Sequence, residues 1–164
     1  MTEKTELVVV RTAFSATEAM CVVASLTGDF DARVNDEVIY PYHCYVADCS
    51  VPTMVGRKQV SMVCLVDAIN GLGATADSFD LRTETVPVEQ VLDVDVAADE
   101  AERIAKNTLT HALGRKLRMI ASFDVALHAR GLVHKRFWIV ETKDTRVMVD
   151  STTGGLHPLA MRAA

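Results

Sequence analysis

The chain has 164 residues, of which 49% are apolar, 24% charged and only 5% aromatic, with a net charge of −5. These are proportions of a soluble globular protein, and at this length about 70% of the unfolded surface can be buried, which excludes a dependence on metal or disulfides for folding. Four cysteines with no CxxC pair exclude a disulfide scaffold, and no apolar run reaches the roughly 18 residues of a membrane helix.

The opening Met1-Thr2-Glu3-Lys4-Thr5-Glu6 is charged and the apolar run Leu7–Val10 is too short for a signal peptide, so the expected compartment is the cytoplasm. Glu6–Thr12, rich in valine, predicts a short strand. Ser15-Ala16-Thr17-Glu18 is a capping box: the serine hydroxyl can accept from the amide of residue 18, and the Glu18 carboxylate can return to the Ser15 amide. Ala19, Val22, Val23 and Leu26 follow at helical spacing and Gly28 supplies a stop, so residues 15–27 predict a helix with one apolar face.

Glu37–Asp48 alternates and is aromatic and β-branched, as in a strand, with Pro41 pointing to an edge or a bulge because it lacks an amide proton. Val51–Arg57 reads as a loop and Lys58–Asp67 as the next strand. Asn70-Gly71 is a turn signal, and Leu72–Thr75 a short return strand. Ser78–Gln90, polar and without an apolar period, reads as a linker, and Val91–Val96 as an extended segment.

Asp99–Ser122 predicts a long amphipathic helix with a stripe of Ile104, Thr108, Leu109, Ala112, Leu117 and Ile120, in which Gly114 is a point of kinking or termination. Asp99, Glu100 and Glu102 stand in its first turns and Arg115, Lys116 and Arg118 near its end, both on the sides that the helix dipole favours. Val125–Leu132, Phe137–Glu141 and Arg146–Asp150 read as strands, with turns at Lys143-Asp144 and Thr153-Gly154-Gly155. His157-Pro158-Leu159 closes the ordered part before a frayed tail at Met161–Ala164.

Leu65-Val66-Asp67-Ala68-Ile69-Asn70-Gly71 is answered 83 residues later by Met148-Val149-Asp150-Ser151-Thr152-Thr153-Gly154. The helix starts match as well, Thr17-Glu18-Ala19 against Asp99-Glu100-Ala101, offset by 82. Each half thus reads as a helix, an antiparallel strand set and an Asp-x-x-x-Gly turn. The expected fold is α+β: two similar helix-on-antiparallel-sheet units, an internal duplication, over residues 1–77 and 98–164, joined by an extended segment 78–97 and packed through apolar faces. The alternative is one ferredoxin-like sandwich with a fused sheet.

A helix opening with Thr/Asp-Glu-Ala, followed by strands and Val-Asp-x-x-x-Gly, resembles tandem PepSY-like and cystatin-like modules of uncharacterised prokaryotic proteins. The likeness covers residues 15–75 and 98–156, departing from PepSY domains in the aromatic and charged strand starts and the long second helix. It implies a small binding or inhibitory module, not an enzyme, and brings no catalytic residue with it.

The repeated Asp67 and Asp150 are compatible with acid/base chemistry, but an Asp before a turn more simply accepts backbone amides and fixes that turn. The donors His43, Cys44, Cys49, Cys64, His111, His128, His134 and His157 are numerous enough for zinc. Adjacent strand residues His43 and Cys44 face opposite ways, however, and Cys44 and Cys49 are spaced too widely for a knuckle. Buried thiols and surface histidines are expected instead, with no metal and no cofactor. Cys49, in the predicted loop, is the cysteine expected to be exposed, and Cys21 and Cys64 to be buried. No GxGxxG, Walker or HExxH pattern occurs.

Residues 84–102 carry seven acids and no base, whereas 103–136 carry eight Lys or Arg and one acid, Asp124. The expected function is a non-catalytic interaction or regulatory module, in which Tyr40, Tyr42, Arg57, Lys58, Arg136 and Trp138 contact a protein partner or a second copy. A nucleic-acid accessory role using Arg115, Lys116, Arg118, Lys135 and Arg136 is the alternative, and a metal- or cysteine-dependent enzyme the third.

Overall fold

The computed structural model describes residues 2–76, 80–117 and 124–159, with residues 116 and 117 by backbone only. It is a mixed α+β fold. In chain order the elements are β1 (Lys4–Val10), α1 (Ala16–Thr27), β2 (Arg33–Thr53), β3 (Gly56–Asp67), β4 (Gly73–Ala76) and β5 (Leu81–Pro87). A 3-10 turn at Val88–Gln90 then leads to α2 (Ala98–Leu117), β6 (Asp124–Glu141), β7 (Arg146–Asp150) and β8 (Leu156–Leu159). The order strand, helix, strand, strand, strand therefore occurs twice. The strands hydrogen-bond as β4-β3-β2-β6-β1-β5, with β7 pairing β6 and β8 pairing β7.

Helix α1 forms where its signals predict it. Ser15 is the N-cap and its hydroxyl accepts from the Glu18 amide at 3.2 Å. The Glu18 carboxylate meets the Ser15 hydroxyl rather than the Ser15 amide. Gly28 closes the helix with φ +74°, its amide donating to the Ala24 carbonyl. Ala19 and Val23 are buried, but Val22 and Leu26 of the expected stripe face out.

Several strands run further than their sequence pattern suggests. Residues 51–57 are not a loop: β2 and β3 pair continuously from Tyr42↔Asp67 to Thr53↔Gly56. Pro41 lies within β2, one residue beyond the end of the β2–β3 ladder. It is tolerated because the β2–β3 ladder ends at Tyr42, and there its carbonyl still accepts from the Ala68 amide. Residues 81–87 are not linker but β5, paired along all seven residues with β1 from Lys4↔Pro87 to Val10↔Leu81. The two strands expected at 125–132 and 137–141 are one, β6, with Gly131 at φ +81° inside it. Helix α2 continues through Gly114 to Leu117; its predicted extension to Ser122 and the tail Met161–Ala164 lie outside the described residues.

Two compact units divide the chain. One comprises Pro41–Phe79 and Asp93–Val133. Its core sets Ala101, Ala105, Leu109 and Leu113 of α2 against Tyr45, Ala47, Cys49 and Val51 of β2 and Cys64 and Val66 of β3. The buried stripe of α2 is thus this i, i+4 series, with Ile104 and Thr108 half-buried beside it. The polar tips of the aromatic strand anchor the start of α2: the His43 ring nitrogen lies 2.7 Å from the Val96 carbonyl, and the Tyr45 hydroxyl donates to the Ala98 carbonyl. At Gly73 a Cβ would collide with Thr108 Oγ1, so β4 approaches α2 as closely as it does only because residue 73 has no side chain.

The other unit comprises Met1–Tyr40, Asp80–Leu92 and His134–Ala164. Its core sets Ala19 and Val23 of α1 against Val140 of β6 and Val147 and Val149 of β7, with Trp138, Val34 and Leu156 packed around them. Each unit therefore takes its helix from one half of the repeated element order and its hairpin from the other, and neither coincides with the contiguous segments 1–77 and 98–164. Because β2 and β6 are long, each contributes residues to both units.

His134 is buried in the second unit, its Nδ1 within 3.2 Å of the Val8 carbonyl. Burial pushes its pKa below the ordinary 6.5. The folded protein therefore favours neutral imidazole, and this contribution to stability is complete above pH 6.5 and lost as pH falls through the lowered folded-state value. The urea midpoint is expected to drop on acidification from pH 6.5 down to that lowered value, and His134→Gln to flatten the profile. An unchanged profile in the variant would assign the acid sensitivity to other groups.

Candidate functional site

Strand β6 alternates its side chains, so Arg136 and Trp138 share a face with Val140 while Lys135 points the other way. The Arg136 guanidinium is largely buried. Its Nε lies 3.0 Å from the Glu37 carboxylate, one Nη donates to Glu84 at 2.9 Å, and the other reaches the Thr12 hydroxyl. The guanidinium carbon sits 5.8 Å from the centre of the Trp138 ring, a cation–π contact. The indole N–H donates to the Phe14 carbonyl at 2.8 Å, which ties the β1–α1 connection to the sheet.

Arg136 and Trp138 line a cleft of about 470 Å³ together with Arg11, Thr12, Ser15, Arg82 and Glu84. The β1–α1 connection supplies Arg11, Thr12 and Ser15. Strand β5 supplies Arg82 and Glu84, two residues apart and hence on one face. Three arginines and a tryptophan thus line one space. Arg136 is neutralised by its two carboxylates, and Arg11 meets Asp80 at 3.7 Å with both side chains exposed; Arg82 is exposed. Guanidinium forks of this kind match carboxylate and phosphate oxygens. Ser15, the cleft's potential nucleophile, is engaged in capping α1.

The other sequence candidates are dispersed. Tyr40 is half-buried, edge-on to Phe137 at 5.8 Å. Tyr42 is half-buried opposite Asp67. Arg57 and Lys58 are exposed on the β2–β3 hairpin, Arg57 donating to Ser50 and pairing with Asp124 at 3.4 Å. Lys135 is largely buried, 3.3 Å from Asp150. Arg115 is exposed on α2; the Lys116 side chain and Arg118 lie outside the described residues. Of the partner candidates, then, the cleft brings together Arg136 and Trp138. Sequence reasoning missed Arg11, Thr12, Ser15, Arg82 and Glu84; the available signal was the i, i+2 spacing of Arg82 and Glu84, which the linker reading discarded.

The repeated aspartates prove to be twin turn clamps. Asp67 Oδ1 accepts from the amides of Ile69 and Asn70, and the Asp67 carbonyl accepts from Gly71. Asp150 Oδ1 accepts from Thr152 and Thr153, and its carbonyl from Gly154. Gly71 and Gly154 take the same left-handed conformation, at φ +73° and +74°.

The cysteine expectations reverse at two positions. Cys49 is buried in β2 and Cys21 is exposed on α1. Burial raises the thiol pKa of Cys44, Cys49 and Cys64, the last to about 11. His43 and His134 are buried rather than superficial. Among the described residues no cluster of three or more His, Cys, Asp or Glu could hold a metal ion, and no helix is long and apolar enough to cross a membrane. Comparison with protein-family models, with curated proteins and with solved structures found no match.

Proposed function

We propose that the chain is a non-catalytic binding module whose arginine-lined cleft receives an acidic segment of a protein partner. The observation that carries this reading is that exposed Arg82 lines one cleft with Arg11 and Trp138, while Arg136 is held in its wall by Glu37 and Glu84. Exposed Arg82 offers charge, Arg11 adds to it when its exposed pairing with Asp80 is exchanged for a partner carboxylate, and Trp138 offers a flat apolar wall that can desolvate an ion pair formed against it. The nucleic-acid reading draws less support, because Lys135 and Arg136, two of its five cations, are already held by carboxylates.

Trp138 is the chain's single tryptophan, so its fluorescence reports directly on the cleft. Titration with a glutamate-rich peptide is expected to give a saturable change whose affinity falls with added salt and by roughly tenfold or more on Arg82→Glu. No saturable change, or one indifferent to Arg82→Glu, would overturn the assignment.

We also infer that the two halves derive from an internal duplication. The support is the repeated strand-helix-strand-strand-strand order and the matched Asp-x-x-x-Gly clamps. The same order lends less to a ferredoxin-like sandwich. The PepSY-like and cystatin-like resemblance would agree with a binding module.

A further inference from the structure

The tip of the β2–β3 hairpin is Met54-Val55, two consecutive apolar side chains that are fully exposed. The turn does not require them. It is held by Thr53, whose hydroxyl donates to the Gly56 carbonyl and accepts from the Val55 amide, and by Gly56 at φ +131°. Hairpin tips favour Gly, Asn and Asp, so an apolar pair leaves water contact unrelieved for no local gain.

The same chain carries an apolar groove of about 260 Å³ along α1, lined by Met20, Cys21, Ala24, Ser25, Phe30, Ala32 and Arg33. Phe30 on its rim is 83% exposed, with Leu26 exposed nearby in sequence. The charges beside the two features are opposite. Exposed Lys58 follows the tip, next to Arg57, which Asp124 holds at 3.4 Å, and exposed Asp31 follows Phe30, next to Asp29, whose carboxylate accepts from the Asp31 and Lys143 amides. Arg33, the one basic group in the groove lining, is turned onto the Ala32 carbonyl.

We propose that the protein self-associates, the Met54-Val55 tip of one copy seating in the α1 groove of a second. Each copy carries one tip and one groove, so the contact closes into a symmetric, isologous dimer if made reciprocally and is heterologous and propagates if made one way. The proposal is independent of the arginine cleft, which uses other residues.

Cys21 makes the contact trappable, because it lines the groove and is exposed while Cys44, Cys49 and Cys64 are buried. In the full-length Met54→Cys variant, mild oxidation is expected to yield an intermolecular disulfide joining residue 54 to residue 21, identified by peptide mapping and absent when Cys21→Ser is added. In parallel, sedimentation of the unmodified protein is expected to show a mass that rises with concentration. The double variant Met54→Asp, Val55→Asp should remain monomeric with an unchanged melting temperature, since the tip supports no core. A protein that stays monomeric at every concentration, a disulfide formed only between two residues 54, or an oligomer indifferent to the aspartates would each overturn the proposal. In the monomeric case the tip would have to serve a different protein.

Discussion

Replacing Asp150 by alanine is expected to destabilise the protein by roughly 2–4 kcal/mol, whereas the same change at Asp67 should cost about 1 kcal/mol. The two turns are matched in geometry, so the difference comes from their surroundings. Both carboxylates accept two backbone amides. Asp150 is buried, however, and faces the Lys135 ammonium at 3.3 Å, itself largely shielded. Its removal leaves two amides short of a charged acceptor and takes a carboxylate away from a largely shielded ammonium. Around Asp67 the Asn70 amide is exposed, and water can take over there. Asp150→Asn keeps an acceptor oxygen for the amides but loses the charge, and should fall between. Urea unfolding at constant m-value measures all three. Equal losses at 67 and 150 would show that the turn geometry alone, not burial and the lysine pair, sets the cost.

These clamps also show what was legible in the sequence and what was not. Features encoded within a few residues could be read directly: the Ser15–Glu18 cap, the Gly28 stop, the Asp-x-x-x-Gly turns and the Lys143-Asp144 hairpin. Strand β5 could not, because Leu81-Arg82-Thr83-Glu84-Thr85-Val86-Pro87 offers little apolar period of its own. What makes it a strand is β1, lying far away in sequence and supplying every partner. The cleft inherits that difficulty. Arg136 and Trp138 were recognisable as a strand pair, but Arg82 enters only through the register Val9↔Arg82 and Arg11 only through the chain leaving β1. The cysteines failed for a related reason: taking 51–57 as a loop placed Cys49 at its border, whereas the ladder continues through it to Thr53. Likewise the aromatic run at 39–46 looked like a recognition surface, and part of it is the anchorage of α2, through His43 and Tyr45.

The second large effect is expected at Arg136. Truncation to alanine should cost about 2–4 kcal/mol, because Glu37 and Glu84 would remain facing one another without the guanidinium that now separates them. The figure stands below that for a fully buried pair because the Glu37 and Glu84 side chains keep 24% and 31% of their exposure. The charges themselves are not what the fold needs. A triple variant, Arg136→Met with Glu37→Gln and Glu84→Gln, removes all three while keeping the bulk beside Trp138, and should recover stability to within about 1 kcal/mol of the parent. If it is as unstable as Arg136→Ala, the cation–π packing on Trp138 and the Thr12 contact carry the site instead. If it is stable, the comparison isolates function: a folded triple variant that no longer responds to acidic peptide would tie the cluster to recognition. A folded triple variant that still binds would place the work of recognition on Arg11 and Arg82 at the mouth, leaving Arg136 as the post that holds the β1–α1 connection against the sheet.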